Sequence, residues 1–271
     1  ERRLSMSALT EKAAALLSEG IVTKVIGYEE GNKKPRPFFC ESAEDAQRLI
    51  YDSRCMNNLA VYLTKPELLG TGKVAVVATI PVLRSIVQLS VEHQLKEDKF
   101  VFLTVNQKGE VIEFSGFDAM SEYLVQFQYA MEKKEQEMIL KLEGMTREER
   151  WAFWMQELSQ CFKCYACRAA CPLCYCTRCI VEVNCPQWIQ PWAAPIGNFE
   201  WQINRAMHLA GRCTGCGACG EACPVGIPIH LLTHKMMEDI GSEFGLTPGQ
   251  TAQNGNVLST FNVGDKENFI H

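Results

Sequence analysis

The chain has 271 residues, 47% of them hydrophobic and 22% charged, a balance that excludes the disordered class and leaves room for two cores. A formal net charge of −5, with no long block of Lys or Arg, excludes a nucleic-acid binder that tracks phosphates. No window reaches the roughly 18 uninterrupted apolar residues that cross a bilayer, and no signal-peptide core follows Glu1-Arg2-Arg3. Cytoplasmic residence is the expectation.

In chain order, residues 7–17 have helical spacing and stop at Gly20, and residues 21–28 are rich in β-branched side chains and predict a strand. Ser42 followed by Asp45 resembles a capping box ahead of a second helix. Residues 74–80, 82–95 and 100–105 then read strand, helix, strand, a βαβ unit that implies a parallel pair, and a turn at 106–109 leads to a strand at 111–114. One amphipathic helix is expected over 118–145, and Thr146 with Glu149 makes a second capping box before Trp151 and Leu158. A last helix is expected over 227–240. The organisation predicted is therefore an α+β or α/β domain at 1–145, a mainly helical and loop ferredoxin-like domain at 146–240, and an extended tail at 241–271.

Of 14 cysteines, the twelve from Cys161 to Cys223 decide the chemistry. A secreted disulfide scaffold is cysteine-dense throughout, whereas here a cysteine-poor half precedes a dense block, so metal binding is preferred. Cys161-Phe-Lys-Cys164-Tyr-Ala-Cys167-Arg-Ala-Ala-Cys171-Pro172 and Cys213-Thr-Gly-Cys216-Gly-Ala-Cys219-Gly-Glu-Ala-Cys223-Pro224 share one spacing. Three thiolates at three-residue intervals wrap one cubane, and the fourth, before proline, reaches the other cluster. The spacing predicts two [4Fe-4S] clusters, on Cys161, Cys164, Cys167 and Cys223 and on Cys213, Cys216, Cys219 and Cys171. Cys174, Cys176, Cys179 and Cys185 lie between the runs, sufficient for a third cubane, for sharing with the neighbours, or for a Cys₄ zinc site. Cys40 and Cys55 stand alone and read as buried small hydrophobes. His230 and His234 sit four apart, but Leu231 replaces the glutamate of a zincin motif, so they read as ordinary helix-face residues. The tryptophans at 151, 154, 188 and 192 read first as core packing and second as interface.

The stretch from Cys161 to Cys179, with Asn198-Phe-Glu-Trp201 and Arg205-Ala-Met-His-Leu-Ala-Gly-Arg-Cys213, resembles the beta subunits of coenzyme F420 hydrogenases and formate dehydrogenases. It is similar above all to their dicluster relatives associated with heterodisulfide-reductase-type complexes. Residues 25–31, 57–63 and 73–77 carry the resemblance into the first half. The resemblance implies an electron-transfer subunit of an anaerobic oxidoreductase complex, with hydrogenase, formate dehydrogenase, flavoprotein or heterodisulfide-reductase-like partners. Where that family reads Gly-Cys-Asp-x-x-Arg, this chain has Ile80-Pro81-Val82-Leu83-Arg84, and a further family cysteine is replaced around Asn106. The first domain is thus expected to hold no cluster of its own, and FAD binding by it is left open. Two other functions compete: a flavin-containing subunit that itself reduces a deazaflavin, and a zinc-stabilised interaction module.

Overall fold

The computed structural model describes residues 2–252 apart from 128, 130, 180–182 and 184. The described residues divide into two compact units, residues 2–127 with 249–252, and residues 129–248.

The first unit is a five-stranded mixed sheet in the order β2-β1-β3-β4-β5. Strands β1 (Lys24–Glu29), β3 (Val74–Val77) and β4 (Phe100–Val105) run parallel, while β2 (Arg36–Cys40) and β5 (Val111–Phe114) flank them antiparallel. The predicted βαβ unit is present, with α3 (Ile80–Val91) linking β3 to β4. Alternation along the strands divides the core: Val25, Ala75, Val77, Val101 and Leu103 pack with Leu9, Ala13 and Leu16 of α1 (Arg2–Ser18). Phe102, one residue out of phase, stands instead against Phe117 at the start of α4 (Phe117–Val125), ring centroids 5.7 Å apart. The short α2 (Pro66–Leu69) precedes β3.

Two expectations change here. The Ser42 box forms its first bond, Asp45 N–H donating to Ser42 Oγ at 3.2 Å, but only a 3₁₀ turn over Asp45–Arg48 follows. Leu49 is extended, and Ile50 N–H donates to the carbonyl of Tyr28, pulling the chain alongside the end of β1 before a helix can grow. The single helix expected over 118–145 is two helices, α4 and α5 (Lys133–Glu143), with the break fixed where Arg84 Nη2 donates to the Phe127 carbonyl at 2.6 Å.

The second unit therefore begins after residue 127, and α5 belongs to it. In α6 (Arg147–Ser159) the capping box is formed in both directions, Glu149 N–H to Thr146 Oγ1 at 3.2 Å and Thr146 N–H to Glu149 Oε2 at 2.8 Å. Four helices follow: α7 (Ala166–Ala169), α8 (Pro195–His208), α9 (Ala218–Glu221) and α10 (His230–Phe244). Helix α10 runs four residues further than expected and stops at Gly245, whose φ of 65° is left-handed. Beyond it, Gly249 N–H donates to Gln88 Oε1 at 3.0 Å and Ala252 N–H to Ser121 Oγ at 2.9 Å, so this part of the expected tail joins the first unit. The rest of that tail, 253–271, lies outside the described residues.

Candidate metal centre

The duplication in sequence extends to the backbone. In the second run Gly215 and Gly217 have φ of 70° and 69°; in the first run the equivalent positions are Lys163 and Tyr165, at 54° and 60°. Both runs turn through the left-handed region twice and then enter a four-residue helix, α7 or α9, that carries the third cysteine, Cys167 or Cys219. Glycine adopts this backbone freely, whereas each non-glycine residue costs on the order of 1–3 kcal/mol. The first run bears that cost twice. The turn aims backbone donors at sulfur: Lys163 N–H lies 3.4 Å from Cys161 Sγ.

One cavity is lined by Cys161, Cys164 and Cys167 of the first run together with Cys223 of the second, roofed by Trp201 and Gln202. The other thiols of the two runs share a second neighbourhood. Burial pushes the Cys213 thiol well above its ordinary range, and the charges of Cys216, Cys219 and Cys171 push it in the same direction. Burial likewise raises Cys167 and Cys219. Cys171 is pulled down by its hydrogen bond with Cys174, and that contact pushes Cys174 up. The raised thiols, Cys167, Cys174, Cys213 and Cys219, become thiolates when a metal displaces the proton.

A further cavity of about 190 Å³ is lined by Cys174, Cys176 and Cys179 with Arg168, Arg205 and Arg212. Cys185, the expected fourth thiol of this set, is exposed and is not among the lining residues; the intervening 180–182 and 184 lie outside the described residues. Among the described residues no three His, Cys, Asp or Glu side chains converge as they would on one metal ion.

Helix α8 supplies what sequence reasoning missed. Asn198, Trp201, Gln202 and Arg205, spaced along one face, are 1%, 2%, 1% and 4% exposed. Asn198 Nδ2 donates to the carbonyls of Leu158 and Cys161, at 3.0 and 2.7 Å, tying the end of α6 to the first run. Gln202 Nε2 reaches Cys167 Sγ at 3.7 Å, and Arg205 Nη2 donates to the Cys167 carbonyl at 3.1 Å. Yet Trp201 Nε1 and Arg205 Nε and Nη1 are buried donors with no well-aligned acceptor. Buried donors without partners are rare, and anionic sulfur in the thiol-lined spaces beside them would satisfy all three. The donor set is all thiolate, the soft ligand of iron–sulfur clusters, so the residues fit the group that the spacing predicts. A polar stripe at i, i+3, i+4 and i+7 between two cysteine runs is the signal that could have found this helix.

His230 and His234 are not ordinary surface positions. His234 is 1% exposed, and both rings face Glu135 of α5, with His230 Nε2 3.0 Å and His234 Nδ1 3.5 Å from its carboxylate oxygens. Cys40 and Cys55 are buried as expected, and burial pushes their thiols up to about 12 and about 11. The core reading of the tryptophans fails for three of the four: Trp151, Trp188 and Trp192 are 49%, 53% and 63% exposed, and the core tryptophan is Trp201.

A 4Fe-4S binding domain model matches residues 209–229, which span Cys213, Cys216, Cys219 and Cys223. Over 96 residues the chain is 34% identical to the F420-dependent formate dehydrogenase subunit beta of Methanocaldococcus jannaschii, and 33% identical to the F420-dependent formate dehydrogenase 1 subunit beta of Methanococcus maripaludis. These matches cover 35% of this chain but 25% and 24% of the relatives, so the chain spans about a quarter of the length of each. A third relative, lactate utilization protein B of Lysinibacillus sphaericus, is 31% identical over 97 residues, 34% of this chain and 19% of that protein. Over this stretch the chain is similar to the beta subunits of F420-dependent formate dehydrogenases, and the 4Fe-4S domain match supports iron–sulfur binding. No described helix is long and apolar enough to cross a membrane.

Proposed function

We propose that this chain is a relay subunit that passes single electrons between redox partners, through two [4Fe-4S] clusters with crossed ligands and a third between the runs. Cys161, Cys164, Cys167 and Cys223 hold the first, Cys213, Cys216, Cys219 and Cys171 the second. The observation that carries this reading is the closure of the first run's cavity by Cys223, the cysteine–proline member of the other run. The cavity of Cys174, Cys176 and Cys179 supports the third; Cys185, the fourth thiol of that set in the sequence, does not line it.

When bound, a cubane exchanges one electron at a potential set by net charge, hydrogen bonds and exposure. The protein's part is to hold thiolates, to aim donors and to control access. Lys163, Gln202 and Arg205 serve the second of these ends, as donors to the first run. Access is graded: Cys164 is exposed, and Phe162 and Val225, which line the same cavity, are 55% and 41% exposed, whereas Cys216, the counterpart of Cys164 in the second run, is only partly exposed. The first run is therefore where we place exchange with a partner. By analogy with the named beta subunits, the partners are other redox subunits of an anaerobic oxidoreductase complex, and no catalytic residue is assigned here.

The test is iron and acid-labile sulfide per chain after anaerobic preparation, with paramagnetic resonance of the reduced protein and a flavin determination. About twelve irons are expected, on four per cubane. About eight would remove the third cluster. A colourless, zinc-loaded protein would refute the reading, and stoichiometric flavin would replace the pure relay by a flavin-containing beta subunit.

A further inference from the structure

Arg205 stands where the sets of thiols meet. It lies in the last turn of α8, 4% exposed, with Nη2 donating to the Cys167 carbonyl, and it also lines the cavity of Cys174, Cys176 and Cys179. Its guanidinium is also within hydrogen-bonding reach of the Cys174 thiol of the insert and the Cys219 thiol of the second run. One cation thus borders the first run, the second run and the insert. Arginine keeps its charge in any protein environment, and a buried charge is strongly unfavourable unless anions face it.

A thiolate-ligated cubane is an anion, and reduction adds one more negative charge to it. A fixed cation in a poorly screened interior favours the more negative state, more strongly the closer it lies. Gln202, one turn earlier on the same face, contributes only a dipole to Cys167. We propose that Arg205 is a shared counter-cation that makes both cluster sites of the two runs easier to reduce. It is a positioning and tuning residue and ligates nothing. This inference rests on the two-cluster function proposed above.

The experiment compares the full chain with its Arg205→Met and Arg205→Lys variants, each assayed for iron and sulfide and then titrated anaerobically against potential by paramagnetic resonance. Lys235→Met is the control, an exposed cation of α10 paired with Glu143 and Asp239. Arg205→Met is expected to lower the reduction equilibrium of both sites at least tenfold, about 59 mV for one electron. Arg205→Lys, which keeps the charge, and Lys235→Met are expected to stay within about threefold, a fraction of that tenfold step. A loaded Met variant whose midpoints match the control overturns the proposal. So does a Lys variant that shifts as far as the Met variant. If the Met variant takes up no iron, the Lys variant decides alone: loading with unshifted midpoints supports the counter-cation, and failure to load overturns it in favour of a purely structural role. A parent chain carrying fewer than about eight irons would instead fail the two-cluster function.

Discussion

Gly215 and Gly217 form a natural controlled pair. Their φ angles are 70° and 69°, so an alanine at either position meets the same backbone penalty, about 1–2 kcal/mol for an L-residue in the left-handed region. Their surroundings differ. A Cβ at Gly217 would meet nothing within 4 Å, whereas one at Gly215 would lie 2.5 Å from Cζ and 2.6 Å from Oη of Tyr129. That ring is not free to swing out cheaply, because it packs edge-on against His234, centroids 6.3 Å apart. Overpacking of this kind costs typically about 1–3 kcal/mol. Gly217→Ala should therefore destabilise the iron-loaded second unit by about 1–2 kcal/mol and Gly215→Ala by about 2–5 kcal/mol, the sum of the two ranges. The assay is the urea midpoint of visible-absorbance loss under anaerobic conditions, for both variants with and without Tyr129→Ala. Removal of the ring should rescue Gly215→Ala in a double-mutant cycle and leave Gly217→Ala unchanged. Equal shifts for the two glycine variants, or no rescue, would refute the steric argument.

Three further outcomes follow from the site. Cys164→Ser should lower iron by about four atoms per chain, while Cys40→Ser, in the core of the first unit, should leave iron unchanged and cost about 1–3 kcal/mol for a buried hydroxyl; iron loss from the Cys40 variant would contradict the assignment. Thr146→Ala removes one arm of a formed capping box and should cost about 0.5–2 kcal/mol, read as a lower thermal midpoint; a raised midpoint would contradict it. Stability should also fall on acidification. Burial, opposed by Glu135, holds the His230 imidazole below its ordinary value of 6.5, so the unfolded chain takes up a proton near pH 6.5 that the folded chain refuses. Its folded state is therefore penalised progressively below that pH. The Glu135 carboxyl is held below its ordinary 4.5, chiefly by contact with His234, and its contribution is present above that value and lost as pH falls through the lower folded one. The urea midpoint should drop between pH 7.5 and 5.5, and His230→Asn should flatten the drop; a midpoint that rises with acid would reverse the sign assigned to His230.

Much of the fold was legible because the local signals and the tertiary contacts agree. The β-branched runs of β4 and β5 have the bounds that their composition predicts, and the Thr146–Glu149 box caps a helix that has little to override it. Where a long-range bond competes, the local pattern loses. Ser42 and Asp45 make their bond, but the pairing of Ile50 with Tyr28 claims the next residues for the sheet. The apparent helix over 118–145 is cut because Arg84, more than 40 residues earlier, takes the Phe127 carbonyl. Neither partner is visible in a window of neighbouring residues.

The second cysteine run, which the 4Fe-4S domain match spans, was legible for a different reason: ligand spacing is itself the chemical requirement, so it survives without knowledge of packing. Helix α8 is the converse. Hydrophobic periodicity assumes that polar side chains seek water and apolar ones seek hydrocarbon, a rule that would put Asn198, Gln202 and Arg205 on a solvated face. They are buried because the medium beside them is neither. Thiols, backbone carbonyls of the ligand loops and the anionic sulfur those loops are built to hold form a polar interior, and a helix that packs on it must present donors. A helix flanked by two ferredoxin-type runs should accordingly be read with its polar stripe facing inward. Trp201, apolar in body with one N–H at its edge, is the side chain that suits both sides of that boundary.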